Sequence, residues 1–248
     1  ALIVGQIASA RRLKKLFSID VKEPDRIAIA GKVQTVCFDK TGTITKDGLD
    51  FSGVHTAAQN QFESDTAALS PHIVKGMASC HSLAMLGGSF VGPQVEIEMF
   101  KNSHCNLSSE GKFTRIQSKD GKHDLQVLKK FKFDHRRMTM SVVVQDNVEQ
   151  ETMAYVKGAP EVILKLCKTS SIPPDIEKRL AEYSLHGNYV LALSSKQCAI
   201  EAGAEELDRD AVESELTFLC LILFRNEIKP SSPSAFAKLR EGEIGRAH

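Results

Sequence analysis

No two cysteines in this chain have C-x-x-C spacing, no apolar run approaches the roughly 20 residues that a bilayer-spanning helix needs, and neither sign of charge predominates. The six cysteines, Cys37, Cys80, Cys105, Cys167, Cys198 and Cys220, lie far apart. That spacing excludes a zinc-ribbon pattern and favours reduced thiols over a disulfide framework. Thirty-two Lys and Arg against thirty-one Asp and Glu leave a formal net charge of +1, so nothing global marks a nucleic-acid binder. Any nucleotide site must be local. Internal repeats and low-complexity segments are also lacking. What remains is an ordinary globular composition: 248 residues, 42% hydrophobic and 25% charged, enough chain for one or two domains with a sizeable core.

Residues 1–10 are apolar, and Arg11, Arg12, Lys14 and Lys15 follow at once. Under the positive-inside rule this reads as the cytoplasmic end of a membrane helix in a longer chain; an amphipathic helix packed on the domain is the alternative. Residues 33–38 form a short β-branched apolar run that stops at a polar loop, and they predict a buried strand with chemistry at its carboxyl end. Residues 216–224 form a second, nearly continuous apolar run of the kind expected for a strand buried on both faces of a parallel sheet. Between these runs the texture changes. Helical patterns cover residues 66–85 and 175–186, with Gly187 as the C-cap, and residues 233–240 near the end of the chain. Residues 140–144 and 153–156 read as an antiparallel pair joined through Asp146 and Asn147. The pattern is that of a sheet domain contributed by both ends and interrupted by a large α+β insert.

The strongest chemical signal is DKTGTIT, residues 39–45. A carboxylate at the end of a buried strand can attack a phosphoryl group and form an aspartyl phosphate, provided the accumulating charge is screened. Asp39 is that nucleophile, with Lys40 beside it. Gly42 lets the backbone close around phosphate oxygens, and Thr41 and Thr43 offer hydroxyl and main-chain groups to phosphate and Mg²⁺. Hydrolytic enzymes with an aspartate nucleophile place a second acid two residues on; here that residue is Thr41. Without an acid there to activate water, the phosphoenzyme persists. In the insert, residues 131–138 (FKFDHRRM) place aromatics and cations just before a strand, which suits a stacked purine with phosphates near positive charge, although a core Phe with solvated arginines gives the same pattern. Residues 157–161 (KGAPE) add a Lys at a strand end, a Gly permitting close approach and a Pro opening a helix, which together make a floor for a nucleotide. His81 beside Cys80 and His104 beside Cys105 read as packing or surface residues, because neighbours in sequence seldom converge on one metal ion.

DKTGTIT resembles the phosphorylation loop of the P-type ATPases, pumps that form an aspartyl phosphate from ATP. The following KDGLD, residues 46–50, resembles the B branch of their type-five subfamily, whose characterised members are lysosomal or endosomal polyamine transporters. Residues 10–15 (ARRLKK) resemble the juncture after that subfamily's fourth membrane helix. Residues 78–86, then Val91, Gly92 and Glu96, resemble its nucleotide-domain helix and acidic loop. Residues 226–230 (NEIKP) resemble its hinge back to the phosphorylation domain. The resemblance implies an α/β fold: a partial Rossmann-like (haloacid-dehalogenase-like) phosphorylation domain carrying an inserted α+β nucleotide-binding domain built on an antiparallel sheet. The implied boundaries are 1–20 for the membrane-helix end and stalk, 21–50 and 216–248 for the phosphorylation domain, and 51–215 for the insert.

It further implies ATP and Mg²⁺ as cofactors, with Asp39, Lys40 and Thr41 catalytic and Asp39 and Thr41 at the metal. Phe133 would stack the adenine, Arg136, Arg137 and Met138 would form the rim, and Lys157, Gly158 and Glu96 would complete the pocket beside Thr41, Gly42 and Thr43. Tyr189 stands where the family usually has an arginine for the ATP phosphates. Gly92, Pro93 and Gln94 stand for its Gly-Asp-Pro, and no T-G-D or G-D-G-x-x-N-D occurs. The expected parent is a multi-pass membrane pump of lysosome or endosome, carrying a cation or polyamine, with this segment cytosolic and no nucleic-acid partner. Two rival readings stay open: a nucleotide-binding module without turnover, and a soluble Asp-nucleophile phosphatase.

Overall fold

The computed structural model describes residues 2–46, 48–110, 113–199 and 206–241. The helices are α1 (Leu2–Phe17), α2 (Ile27–Ala30), α3 (Pro71–Ser79), α4 (Gln94–Lys101), α5 (Pro160–Leu166), α6 (Ile176–Leu185), α7 (Arg209–Val212) and α8 (Ser232–Glu241). The strands are β1 (Asp50–Thr56), β2 (Gln61–Glu63), β3 (Ala84–Leu86), β4 (Ser89–Val91), β5 (Cys105–Glu110), β6 (Phe113–Ser118), β7 (Asp124–Asp134), β8 (Thr139–Asp146), β9 (Glu151–Gly158), β10 (Asn188–Gln197) and β11 (Thr217–Arg225). The chain divides into two compact units, Ala1–Thr45 with Ile228–His248, and Lys46–Glu227.

In the first unit, α1 leaves Leu2, Ile3 and Val4 exposed and buries none of its residues. Among the described residues no helix is long and apolar enough to cross a membrane. Residues 33–38 correct the sequence reading: they are exposed and join no strand ladder. A β-branched run becomes a strand only where neighbours satisfy its backbone and cover its faces. The described residues of this unit offer a single bridge, Thr45 to Ile228, and an edge-on contact of Phe38 with Phe236 at 5.3 Å. A Rossmann-like sheet is therefore not among the described elements, and Cys37 is exposed.

The second unit is built on a nine-stranded sheet in the order β2-β1-β11-β10-β9-β8-β7-β6-β5, with antiparallel neighbours throughout. Here the second correction falls. Residues 216–224 do form a strand, but β11 lies antiparallel between β1 and β10, so it belongs to the insert, and the units divide after Thr45 and after Glu227. Its apolar continuity has the expected cause, burial on both faces. Cys220, Ile222 and Phe224 pack with Ile73 and Met77 of α3 and Met99 of α4. Leu221 and Leu223 pack with Ile163 of α5 and Ile176 of α6. A continuous run reports two covered faces and says nothing of strand direction.

The expected helix at 66–85 is shorter. Pro71 opens α3, and after Ser79 the chain turns so that the Cys80 thiol donates to the carbonyls of Met140 and Tyr155, both at 3.5 Å. The β3–β4 hairpin follows, its two-residue loop supplied by Gly87 (φ +56°) and Gly88 (φ +81°), the left-handed pair such a turn requires. The pairing of residues 140–144 with 153–156 is found as β8 and β9, joined by residues 147–150. The helix before Gly187 is found as α6, and Gly187 has φ +76°.

Candidate functional site

In the first unit, Asp39 is extended (φ −65°, ψ 141°) and leads into a tight turn over Lys40–Ile44. Gly42 takes φ +77° there, a conformation that glycine adopts without strain. The backbone N–H and hydroxyl of Thr45 both donate to the Lys40 carbonyl at 3.1 Å. The Lys229 N–H donates to the Ile44 carbonyl at 2.9 Å, its ammonium donates to the Gly42 carbonyl, and the Ser232 hydroxyl donates to Ile44 at 2.7 Å. The carbonyls of the turn are thus tied back to the 228–232 segment. Asp39, Lys40, Thr41 and Thr43 remain exposed, a condition that a phosphoryl acceptor would require. Their donor set for a metal is one carboxylate and a threonine. Mg²⁺ binds through one or two carboxylates with phosphate oxygens and water, so these residues fit an ion that arrives with a phosphate ligand.

In the second unit, a groove of about 370 Å³ opens where β9 ends and α5 begins. Phe133 and Met138, flanking the β7–β8 turn, line it together with Ala159, Pro160 and Glu161. The remaining wall is Leu180 and Ser184 of α6 and residues 188–191 at the start of β10. Phe133 is 45% exposed and Tyr189 48%. Half-open rings of this kind can stack a planar base. Of the residues that the sequence assigns to a nucleotide pocket, Phe133 and Met138 line this groove together with the β9–α5 corner; α6, which also lines it, was not among them. The signal was available in the spacing of Leu180 and Ser184, four apart and hence on one helical face.

Lys157 and Glu96 do not line this groove. They pair with each other, Lys157 Nζ to Glu96 Oε1 at 2.6 Å, with both residues under a tenth exposed. The second Glu96 oxygen accepts from the backbone N–H and hydroxyl of Ser82, at 2.7 and 2.6 Å. Burial works to raise the Glu96 pKa, but the Lys157 charge and the bonds from Lys157 and Ser82 hold it below the usual carboxylate range. Arg137 turns toward α7, pairing with Asp210 at 2.5 Å and lying 3.8 Å from Glu213. Arg136 is exposed and outside the lining. Gly158 has a packing cause of its own: a Cβ there would stand 2.2 Å from the Met138 carbonyl oxygen.

His81 is a neutral packing residue. Its Nε2 is 2.8 Å from the Ala78 carbonyl and its Nδ1 accepts from the Leu83 N–H at 3.2 Å, while burial drives its pKa down to about 3. Burial likewise pushes the Cys80 thiol up to about 12. His104 Nε2 meets the Thr66 hydroxyl at 3.0 Å. Among the described residues no group of three or more His, Cys, Asp or Glu could hold a metal ion. Sequence reasoning also passed over Lys75. It lies in α3 at 1% exposure, 2.6 Å from Asp146 and 2.5 Å from Glu149. Burial works against its charge, yet those two bonds hold its pKa above the ordinary lysine value.

Residues 96–231 match the family described as P-type ATPase, cytoplasmic domain N. Over 98% of its length the chain is 34% identical to the probable cation-transporting ATPase 13A5 of Homo sapiens, of which it covers 22%. Over the same share it is 32% identical to the probable cation-transporting ATPase 13A4 of Homo sapiens, covering 22% of that protein. It is 30% identical, again over 98% of this chain, to the polyamine-transporting ATPase 13A3 of Mus musculus, of which it covers 23%. The chain thus spans less than a quarter of the length of these relatives.

Proposed function

The chain belongs to the P-type ATPases, with residues 96–231 matching their cytoplasmic domain N, and from that premise we propose that Lys46–Glu227 binds ATP and that Asp39 accepts its γ-phosphoryl group. The observation that carries the reading is the groove in which the half-exposed rings of Phe133 and Tyr189 meet the Ala159-Pro160 corner. Its volume of about 370 Å³ falls within the range of small-molecule sites, and its mostly apolar lining suits a purine.

In the transfer step an Asp39 oxygen attacks the γ-phosphorus, the bond to the bridging oxygen of the β-phosphate breaks, and ADP departs with that electron pair. Bound Mg²⁺, held by Asp39 and Thr41 with phosphate oxygens, would supply charge neutralisation between the carboxylate and the phosphates. Lys40 adds positive charge beside the acceptor, and Gly42 permits the close turn. Thr41 brings no acid to activate water, so the aspartyl phosphate outlives a hydrolase's intermediate. That persistence suits a pump, in which the intermediate would drive transport of a cation or polyamine across the membrane of a lysosome or endosome. The transported substrate would be chosen by segments outside this sequence.

The test is incubation of the 248-residue chain with γ-labelled ATP and Mg²⁺. Acid-stable, hydroxylamine-sensitive label that disappears in Asp39→Asn supports the proposal. Nucleotide binding without such label would reduce the chain to a binding module, and rapid release of phosphate from small phosphoesters would favour the phosphatase.

A further inference from the structure

The groove has an uneven charge balance. Its described lining holds two aromatic residues, apolar side chains, the polar Ser184 and Asn188, and one charged group, the acidic Glu161; Lys and Arg are absent from it. Of the cations that the sequence places nearby, two are engaged elsewhere. Lys157 is buried against Glu96 at 2.6 Å, and Arg137 holds Asp210 at 2.5 Å. Arg136 is exposed beyond the lining. At the position where the family resemblance would put a phosphate-binding arginine, the groove has the ring of Tyr189.

That ring is held in place. Tyr189 stands opposite Phe224 in the β10–β11 register, with ring centroids 6.4 Å apart. Phe224 is fully buried and packs edge-on against Phe51 at 6.0 Å. A ring buttressed on one side and open to the groove on the other is a preorganised stacking surface.

We propose that Tyr189 is a second aromatic wall of the nucleotide site, so that recognition is dominated by the base and each added phosphate contributes little. The inference rests on the ATP reading above. Stacking on an aromatic side chain is indifferent to the length of the phosphate chain. Charge-assisted bonds from a guanidinium are what would make ATP bind more tightly than AMP.

The experiment is displacement of a fluorescent trinitrophenyl-ATP probe from the 248-residue chain by ATP, ADP and AMP in EDTA. The expected result is three affinities within about fivefold of one another, because no lysine or arginine is in the described lining of the groove. Tyr189→Ala should weaken all three in parallel by about tenfold, the typical worth of one base-stacking contact. Tyr189→Phe should recover what the alanine loses, and Tyr189→Arg should raise the preference for ATP over AMP by about tenfold. A wild-type preference for ATP over AMP beyond about fivefold would overturn the inference while leaving the ATP reading intact. So would a Tyr189→Ala variant, folded by circular dichroism, with unchanged AMP affinity. Failure of the wild-type chain to take up the probe would remove the ATP reading and the inference with it.

Discussion

At the scale of single residues, the Lys157–Glu96 pair joins the KGAPE corner to α4 through one buried contact. The resemblance assigns both side chains to a nucleotide pocket, and in the structure they pair with each other. Removing one member of a buried ion pair strands the other charge, typically at a cost of about 3–5 kcal/mol. Lys157→Ala should therefore lower stability by about that much at neutral pH, measured by urea unfolding. The pH dependence follows from the depressed pKa of Glu96. Its stabilisation is complete above the unfolded carboxylate value of about 4.3 and is lost as pH falls through the lower folded value. The gap between wild type and variant should accordingly narrow under acid conditions. A gap that stays constant down to acid pH would show that the pair does not carry the stability. Lys75 behaves similarly: its partners Asp146 and Glu149 lie at the end of β8 and in the turn beyond it, so the pairs fasten that turn to α3.

At the scale of elements, packing outranks local propensity, and α3 supplies the test. Gly76 in the middle of a helix costs about 1 kcal/mol relative to Ala, so propensity by itself favours Gly76→Ala. The structure reverses that sign. A Cβ at Gly76 would stand 2.8 Å from Leu193 Cδ2 and 2.9 Å from Tyr155 Cδ1, and both residues are fully buried. Overpacking such a site costs about 1–3 kcal/mol. We expect a net loss of about 1 kcal/mol, seen as a melting temperature lower by about 2–4 °C. An unchanged or higher melting temperature would mean that the α3–sheet interface has room to relax. The same competition explains which elements were legible. The β8–β9 pair and α6 announced themselves through periodicity and turn residues, because their signals are local. The helix expected over residues 66–85 was overestimated, because its end is set by the Cys80 thiol reaching across to β8 and β9. No local pattern encodes that contact.

At the scale of the whole molecule, Lys46–Glu227 forms a unit with its ends tied together. The Lys46 N–H donates to the Glu227 carbonyl at 2.8 Å, and the two side chains pair at 2.5 Å. All nine strands of the main sheet and the helices on both its faces lie within it. Residues 46–227 expressed alone should therefore unfold cooperatively within about 3 °C of the main transition of the 248-residue chain, as calorimetry would show. A lost or broadened transition would mean that the flanking segments complete the core. The sequence by itself determined the motifs and the family: the DKTGTIT loop, the KGAPE corner and the P-type ATPases, whose cytoplasmic domain N residues 96–231 match. Those are statements about residue type and spacing, and a linear chain carries them in full. Tertiary structure alone decided how side chains and strands are used. It placed β11 antiparallel within the insert, left residues 33–38 without a ladder, turned Lys157 onto Glu96 and Arg137 onto Asp210, and set Tyr189 beside Phe133 in one groove. The reason is that burial and pairing depend on which distant segments come to cover a residue, and that is settled only when the sheet is assembled.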